Sequence, residues 1–342
     1  MVSGKHTFHL NDGALQAIWD AAGLGTVQSA IPPARGAINP CFIVNDAHVI
    51  RFDTGFKGIG RFQNEAVAYG RLAASGVPVP EVVVLDYSQR VVPHGYLITS
   101  KLPGTPIMDS WAALSVEARQ GVARQAGRYL AVIHGHSFGG FFGALRLSPE
   151  GAALGAGGLS DGTVEPPVSG APRSPGFTSW FAFVEDYFRR YAAQAIDLHA
   201  IPPETISRIQ TVLETYRPQL DRITQSALIH SDYQFENILQ QDGVVTGVID
   251  FEWAYAGDPS SDFHIQEKWE EMCPGSVEPF LEGYTCERPL DGEHATRRVI
   301  YALLLYLETV VDYANQQDGE ALRRTQRDLG DALAWLETPP RF

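Results

Sequence analysis

The chain has 342 residues, enough to bury a large core and, by length, to form two lobes. Hydrophobic residues make up 44% and charged residues 19%, an ordinary globular mix that excludes a disordered or fibrous chain. A formal net charge of −14 with no run of Lys or Arg excludes a nucleic-acid binder, because phosphate backbones reward clustered basic side chains.

Cys41, Cys273 and Cys286 are odd in number and lack metal-ligand spacing, so neither a disulfide framework nor a zinc site is expected. The start MVSGKHTFHL has no apolar stretch behind a basic head, and the longest apolar run, Val299 to Leu307, is too short to span a bilayer. These features predict a soluble, cytoplasmic protein with no membrane partner.

In chain order, Asn11 and Asp12 are candidate caps for a helix over Ala14–Ala22 that Gly23 stops. Ala37–Asp53 alternates and is interrupted at Asn45-Asp46, a hairpin signal. A second helix is predicted over Arg61–Ser75, with Gly76 as terminator, followed by strands at Val82–Tyr87 and Gly95–Lys101. Leu102-Pro103-Gly104-Thr105-Pro106 reads as a tight connector. Helices then dominate, at Ser115–His134, Phe177–Ala195, Glu204–Ile223 and from about Asp291 onward. Pro149 to Pro175 is rich in Gly, Pro and Ser, without apolar periodicity, and is predicted to be a long flexible loop or insertion.

The residues that carry chemistry cluster at 228–262. LIHSDYQFENIL holds His230, Asp232 and Asn237, and GVIDFEWAYAGDPSSDF follows with Asp250, Asp258 and Asp262. Ala227–Ile229 and Val244–Ile249 read as short buried strands, so the polar residues at their ends sit in loops held by a rigid scaffold. Phosphoryl transfer needs a carboxylate beside the attacking hydroxyl and oxygen ligands for magnesium. Magnesium is often held by one or two carboxylates plus nucleotide phosphates. Asp232 suits the base, Asn237 and Asp250 suit the metal, and His230 can brace the loop through a hydrogen bond. A pure metal site of His230, Asp232 and Asp250 is the competing reading, and it leaves Asn237 and the N-terminal unit without a purpose.

His-x-Asp-x-x-x-x-Asn followed by Ile-Asp-Phe and Gly-Asp-Pro-x-x-Asp resembles the catalytic and metal-binding loops of the aminoglycoside phosphotransferase family, which includes macrolide, hygromycin, choline and homoserine kinases. The resemblance implies an α+β, bilobal protein-kinase-like fold. A small β-rich N-lobe would span residues 1–102, and a larger, mainly helical C-lobe residues 103–342, with a flexible insertion near 149–176. It implies Asp232 as catalytic base with His230 beside it, Asn237 and Asp250 as Mg2+ ligands, and Asp258 and Asp262 as residues that orient loops. Ser231 stands where the family usually has glycine.

By the same resemblance, HVIRF at 48–52 matches the strand whose basic residue holds nucleotide phosphates, with Arg51 where protein kinases have Lys. Arg51 can hold both phosphate and a carboxylate. Glu65 matches the helix acid that pairs with it. Gly95–Pro106 resembles the strand and hinge, so backbone groups near Ser100, Lys101 and Leu102 would meet the nucleotide base. The turn at Pro33–Asn39 stands where the phosphate-covering loop belongs, with Gly36 its only glycine. No Gly-x-x-x-x-Gly-Lys occurs, which excludes a P-loop enzyme. His134 and His136 at a helix end, and the stripe Trp180, Phe181, Phe183, Tyr187 and Phe188, read as structural.

The function expected is transfer of the γ-phosphate of ATP or GTP to a hydroxyl of a small, cationic acceptor such as an aminoglycoside or related antibiotic, as in antibiotic resistance. A metabolic kinase of the choline, amino-sugar or homoserine type is the alternative, and a non-catalytic nucleotide-binding module the third. The cationic acceptor follows from charge: Met1 to Leu102 holds eight Lys/Arg and seven Asp/Glu, and the rest of the chain eighteen against thirty-three. Clefts of one sign concentrate ligands of the other. Glu267, Glu270 and Glu271 are the first acids expected to contribute.

Overall fold

The computed structural model describes residues 13–33, 39–55, 60–145 and 176–338. The order of elements is α1 (Ala14–Ala22), β1 (Ala30–Ile31), β2 (Cys41–Val44), β3 (His48–Asp53), α2 (Arg61–Leu72), β4 (Val82–Asp86), β5 (Gly95–Ser100), β6 (Thr105–Pro106) and α3 (Ile107–Ser110). Then come α4 (Val116–Ile133), β7 (Gly143–Ala144), α5 (Trp180–Asp197), α6 (Pro203–Leu220), β8 (Ala227–Ile229), β9 (Ile238–Gln241), β10 (Val244–Val248) and β11 (Tyr255–Gly257). Helices α7 (Gln266–Met272), α8 (Val277–Glu287), α9 (His294–Gln316) and α10 (Gly319–Glu337) complete the chain. The class is α+β. No helix among the described residues is long and apolar enough to cross a membrane.

Contacts divide the chain into two compact units. Among the described residues, the first holds Gly13–Ser110, Leu145 and Glu236–Ala254, and the second Trp111–Ala144, Gly176–Phe235 and Tyr255–Thr338. Glu236–Ala254 joins the first unit because β9 pairs antiparallel with β6, bringing Thr105 opposite Gln240 and Pro106 opposite Leu239. Strand β9 was not expected from sequence; its four residues follow loop-like Asn237 and show no alternation long enough to stand out.

In the first unit a five-stranded antiparallel sheet runs β1-β2-β3-β5-β4. The turn between β2 and β3 is the expected hairpin: Val44 pairs with His48, the Ala47 N–H closes the turn on the Val44 carbonyl at 3.1 Å, and Asn45 and Asp46 between them both have left-handed φ, 55° and 54°. Leu15, Ile18 and Trp19 of α1 pack on Ile50 and Phe52 of β3. Side chains alternate along a strand, so Arg51 projects from the other face, where its guanidinium meets the Phe62 ring of α2 at 4.9 Å. Gly23 ends α1 in the left-handed conformation, as predicted. The candidate caps Asn11 and Asp12 lie outside the described residues.

In the second unit α4 starts where Ser115 Oγ accepts the Ala118 N–H at 3.2 Å. Helix α5 starts at Trp180, three residues later than the periodicity predicts. Ser179 caps it, and Phe177 is taken by a backbone bridge to Phe142. Helices α4 and α8 approach closely at two glycines. A Cβ at Gly127 would run into the Phe280 carbonyl, and one at Gly283 into the Arg124 carbonyl. The main core joins α5, α6, α9 and α10, and the stripe residues Trp180, Phe181 and Phe188 are buried in it. The stretch expected to be a flexible insertion lies outside the described residues.

Candidate functional site

In the second unit, buried β8 delivers the chain into His230, Ser231 and Asp232. Ser231 has φ 71°, in the left-handed region that favours glycine. The turn is held by Asp262, fully buried, whose carboxylate accepts the N–H of His230 at 2.9 Å and of Ser231 at 2.6 Å. The same carboxylate meets His134 Nε2 at 2.9 Å, and His134 Nδ1 lies 2.8 Å from the Tyr284 hydroxyl. Burial pushes the His134 imidazole below its usual range and keeps it neutral. A neutral ring satisfies both contacts when Nε2–H donates to Asp262 and Nδ1 accepts from Tyr284. Burial alone would raise the Asp262 carboxyl; the hydrogen bonds it accepts bring it below the usual carboxylate range.

His230 is buried, and its Nδ1 accepts the Asp232 N–H at 3.3 Å, so it braces the loop from within. Asp232 is half-buried and accepts a short hydrogen bond from the Gln234 side chain. Asp258 caps the turn at Pro259–Phe263 and is gripped by Arg297 Nε at 2.7 Å and the Tyr301 hydroxyl at 2.6 Å. Both trailing aspartates thus orient loops.

In the first unit, Arg51 forms ion pairs with Glu65 of α2 and, at 2.9 Å, with Asp250 Oδ1. Burial opposes the Arg51 charge, but Asp250 and Glu252 outweigh it and keep the guanidinium protonated. Tyr69, one helical turn beyond Glu65, donates its hydroxyl to Glu65 Oε1 at 2.6 Å and accepts the Asp250 N–H at 3.1 Å. Asp250 itself has φ 69°. Asn237 is buried and its carbonyl accepts the Ile249 N–H at 3.0 Å. Glu252 is also buried, 3.2 Å from the Asn39 amide and 3.7 Å from Arg61; burial first, then the neighbouring Asp250 charge, raises its carboxyl above the ordinary range.

At the connector, the Ser100 N–H is bonded to the Glu81 carbonyl at 2.9 Å and the Lys101 N–H to the Ala47 carbonyl at 2.8 Å. Lys101 Nζ pairs with Asp46 at 2.9 Å. The Leu102 N–H is bonded to no described residue. Of the turn at Pro33–Asn39, expected to cover the phosphates, only the two end residues lie within the described residues.

The structure therefore brings together Arg51, Glu65 and Asp250 in one unit, and His230 with Asp232 in the other. The motif His-x-Asp-x-x-x-x-Asn crosses from the second unit to the first between Phe235 and Glu236. Tyr69 and Glu252 were missed from sequence. Tyr69 reads as one more core position of an amphipathic helix, although its i+4 spacing from Glu65 places both on one face. Glu267, Glu270 and Glu271 are all exposed on α7. Glu267 pairs with Arg298, and Glu270 accepts the Gly275 N–H at 2.8 Å. A cavity of about 700 Å³ lies there, lined by Glu267, Glu270, Glu278 and Glu282 among others.

A family model described as a phosphotransferase enzyme family matches residues 29–285. Comparison with curated proteins finds no match. The fold is similar to that of wild-type aminoglycoside 2'-phosphotransferase-IIIa, solved as its GDP complex, with TM-score 0.63 and 17% identity over 94% of this chain and 97% of that one. It is similar to APH(2")-IIa in complex with gentamicin, with TM-score 0.65 and 15% identity over 94% and 97% of the two chains. A thermostable mutant of APH(4)-Ia, in a ternary complex with AMP-PNP and hygromycin B, superposes with TM-score 0.64 and 16% identity over 96% and 100%. At these identities the likeness concerns the fold.

Proposed function

The chain belongs to the phosphotransferase enzyme family and is an enzyme that transfers phosphate to a hydroxyl group of a small molecule, and from that premise we propose its donor, its residues and its acceptor class. The donor is the γ-phosphate of ATP or GTP. The cluster of Arg51, Glu65 and Asp250 carries this reading. It joins a permanently charged fork, suited to phosphate oxygens, to a carboxylate free to exchange that fork for a cation. The amide oxygen of Asn237 and the carboxylate of Asp250 are the hard donors that magnesium prefers. No group of three His, Cys, Asp or Glu that could hold a metal occurs among the described residues. That fits a cation held largely by nucleotide oxygens. Bound there, magnesium would neutralise charge on the phosphates.

Asp232 accepts the proton of the acceptor hydroxyl as it attacks the γ-phosphorus, and the bond from that phosphorus to the nucleoside diphosphate oxygen breaks. His230 and Asp262 hold Asp232 in place. Arg51, steadied by Glu65, holds donor phosphate oxygens. The unbonded Leu102 N–H is the donor group best placed to meet the base, since the N–H groups of Ser100 and Lys101 are spent on the sheet.

The acceptor is a small cation, an aminoglycoside or related amine-bearing antibiotic. The acidic charge beyond residue 102 and the Glu-lined cavity beside α7 support it. A resistance role and a cytoplasmic location go with that acceptor. A coupled ADP/GDP-release screen with magnesium tests the whole reading, against aminoglycosides, macrolides, choline, amino sugars and homoserine. A cationic acceptor should emerge whose KM rises with ionic strength. A neutral sugar with a salt-insensitive KM overturns the acceptor class, and no turnover with any acceptor overturns the donor reading.

A further inference from the structure

Four groups close a ring in the first unit. The Asp250 N–H donates to the Tyr69 hydroxyl at 3.1 Å, the Tyr69 hydroxyl donates to Glu65 at 2.6 Å, Glu65 pairs with Arg51, and Arg51 returns to Asp250 at 2.9 Å. Three of these links involve charged side chains. Tyr69 alone reaches Asp250 through the backbone, and it does so where the backbone is strained.

Asp250 has φ 69°, a conformation an L residue with a Cβ adopts at a cost of about 1–2 kcal/mol and keeps only where its surroundings demand it. Its amide continues no strand ladder: β10 ends at Val248, and the Ile249 N–H goes to the Asn237 carbonyl at 3.0 Å. A partly buried N–H with no acceptor would be costly, and the Tyr69 oxygen supplies one. The ring of Tyr69 is buried edge-to-face against Phe251, centroids 5.6 Å apart, which fixes where the hydroxyl sits. A hydroxyl brought into such surroundings is itself costly unless bonded, and this one is bonded twice. A phenylalanine would fill nearly the same core volume; the oxygen is what packing does not account for.

We propose that Tyr69 is a positioning residue for phosphoryl transfer. Through one oxygen it holds the Asp250 backbone in its left-handed conformation and orients the Glu65 carboxylate, so that Arg51 and Asp250 are set by the same group. The backbone that carries the Asp250 carboxylate would then already be fixed when the nucleotide arrives, and only the side-chain pairing to Arg51 would have to change. The metal part of this inference rests on the nucleotide and magnesium reading above; the backbone part does not.

Tyr69→Phe separates the hydroxyl from the ring. In the full-length protein without ligand, amide-resolved hydrogen exchange compares Asp250 with Ile249, whose bond to Asn237 the substitution leaves alone. Asp250 exchange should accelerate at least tenfold while Ile249 changes less than twofold. Unchanged exchange at Asp250, or equal acceleration at both amides, overturns the positioning role, the second because it reports general loosening. Manganese binding in the presence of AMP-PNP, read by electron paramagnetic resonance, provides the second arm. Its Kd should rise five- to tenfold in Tyr69→Phe. Equal Kd values in the two proteins overturn the inference. If the wild type binds no manganese with AMP-PNP, the donor reading falls and the exchange result alone decides Tyr69.

Discussion

Arg51 Nη1 lies 2.9 Å from Asp250 Oδ1, so the residue proposed for donor phosphates pairs with the carboxylate proposed for magnesium. On the proposed reading, a bound magnesium–nucleotide complex would exchange this ion pair for two others, with Asp250 holding the metal and Arg51 the phosphates. The Arg51–Glu65 pair would keep the fork from swinging free during that exchange. Arg51→Ala should therefore raise the nucleotide KM by tenfold or more, and Glu65→Ala by less. The two residues act together, so the double variant should cost less than the sum of the singles. Steady-state kinetics over a nucleotide range check this, and strict additivity would separate the pair.

Asp250→Ala should abolish magnesium-supported turnover, and Asn237→Ala should weaken it less. Asp250 offers a full negative charge to a divalent cation, whereas Asn237 offers a neutral oxygen. Magnesium titrations of each variant at fixed nucleotide distinguish them. A wild-type magnesium dependence in Asp250→Ala would move the metal elsewhere.

Asp262→Asn should lower kcat more than it changes the nucleotide KM. One amide cannot replace both carboxylate oxygens: if its oxygen faces Ser231, its NH2 meets the His230 N–H, and if reversed it meets Ser231. Hydrogen bonds to a charged group contribute roughly 1.5–3 kcal/mol each, so chemical denaturation should show a loss of that order. Ser231→Gly should do the reverse, stabilising by about 1 kcal/mol at a left-handed position while keeping activity.

Stability should fall in mild acid. Burial pushes His134, His264 and His294 below the ordinary imidazole value, His294 to about 4. Their unfolded values lie near 6.5, so below that pH the unfolded chain binds protons that the folded one refuses. The contribution of these histidines is complete above about pH 6.5 and is lost as pH falls from there, that of His294 until about pH 4. A series of melting temperatures from pH 7.5 to 4.5 should decline through this window. A flat profile would mean that the rings titrate as exposed ones do.

Much of this was legible in the sequence where a local rule was strong. Gly23 marked a helix end, Asn45-Asp46 marked a hairpin, and the polar residues behind Ile229 and Ile249 marked loops, whereas α2 ends at Leu72, ahead of the predicted stop at Gly76. Strand β9 was not legible, because its partner β6 lies more than a hundred residues earlier and its own four residues look like the loop they leave. Tyr69 was hidden for a different reason: helical periodicity reports that a side chain is buried, not what its terminal oxygen meets. His134 was read as structural, and its position against Asp262 gives that reading a content, since it fixes the carboxylate beneath the His230–Asp232 turn. The acids of α7 were placed by spacing alone, and two of the three are already engaged with Arg298 and the Gly275 amide.

The role of Asp232 as base is the centre of the account, and Asp232→Asn tests it most directly. The amide keeps the shape of the side chain and its reach to Gln234 but cannot take the proton of an attacking hydroxyl. General-base catalysis typically contributes about 10²–10⁴ in rate, and loose phosphoryl-transfer transition states put the loss toward the low end. With an acceptor from the screen, kcat measured beside nucleotide affinity should fall about a hundredfold or more while the affinity stays within about twofold. Undiminished kcat in Asp232→Asn would remove Asp232 from the reaction and contradict the mechanism.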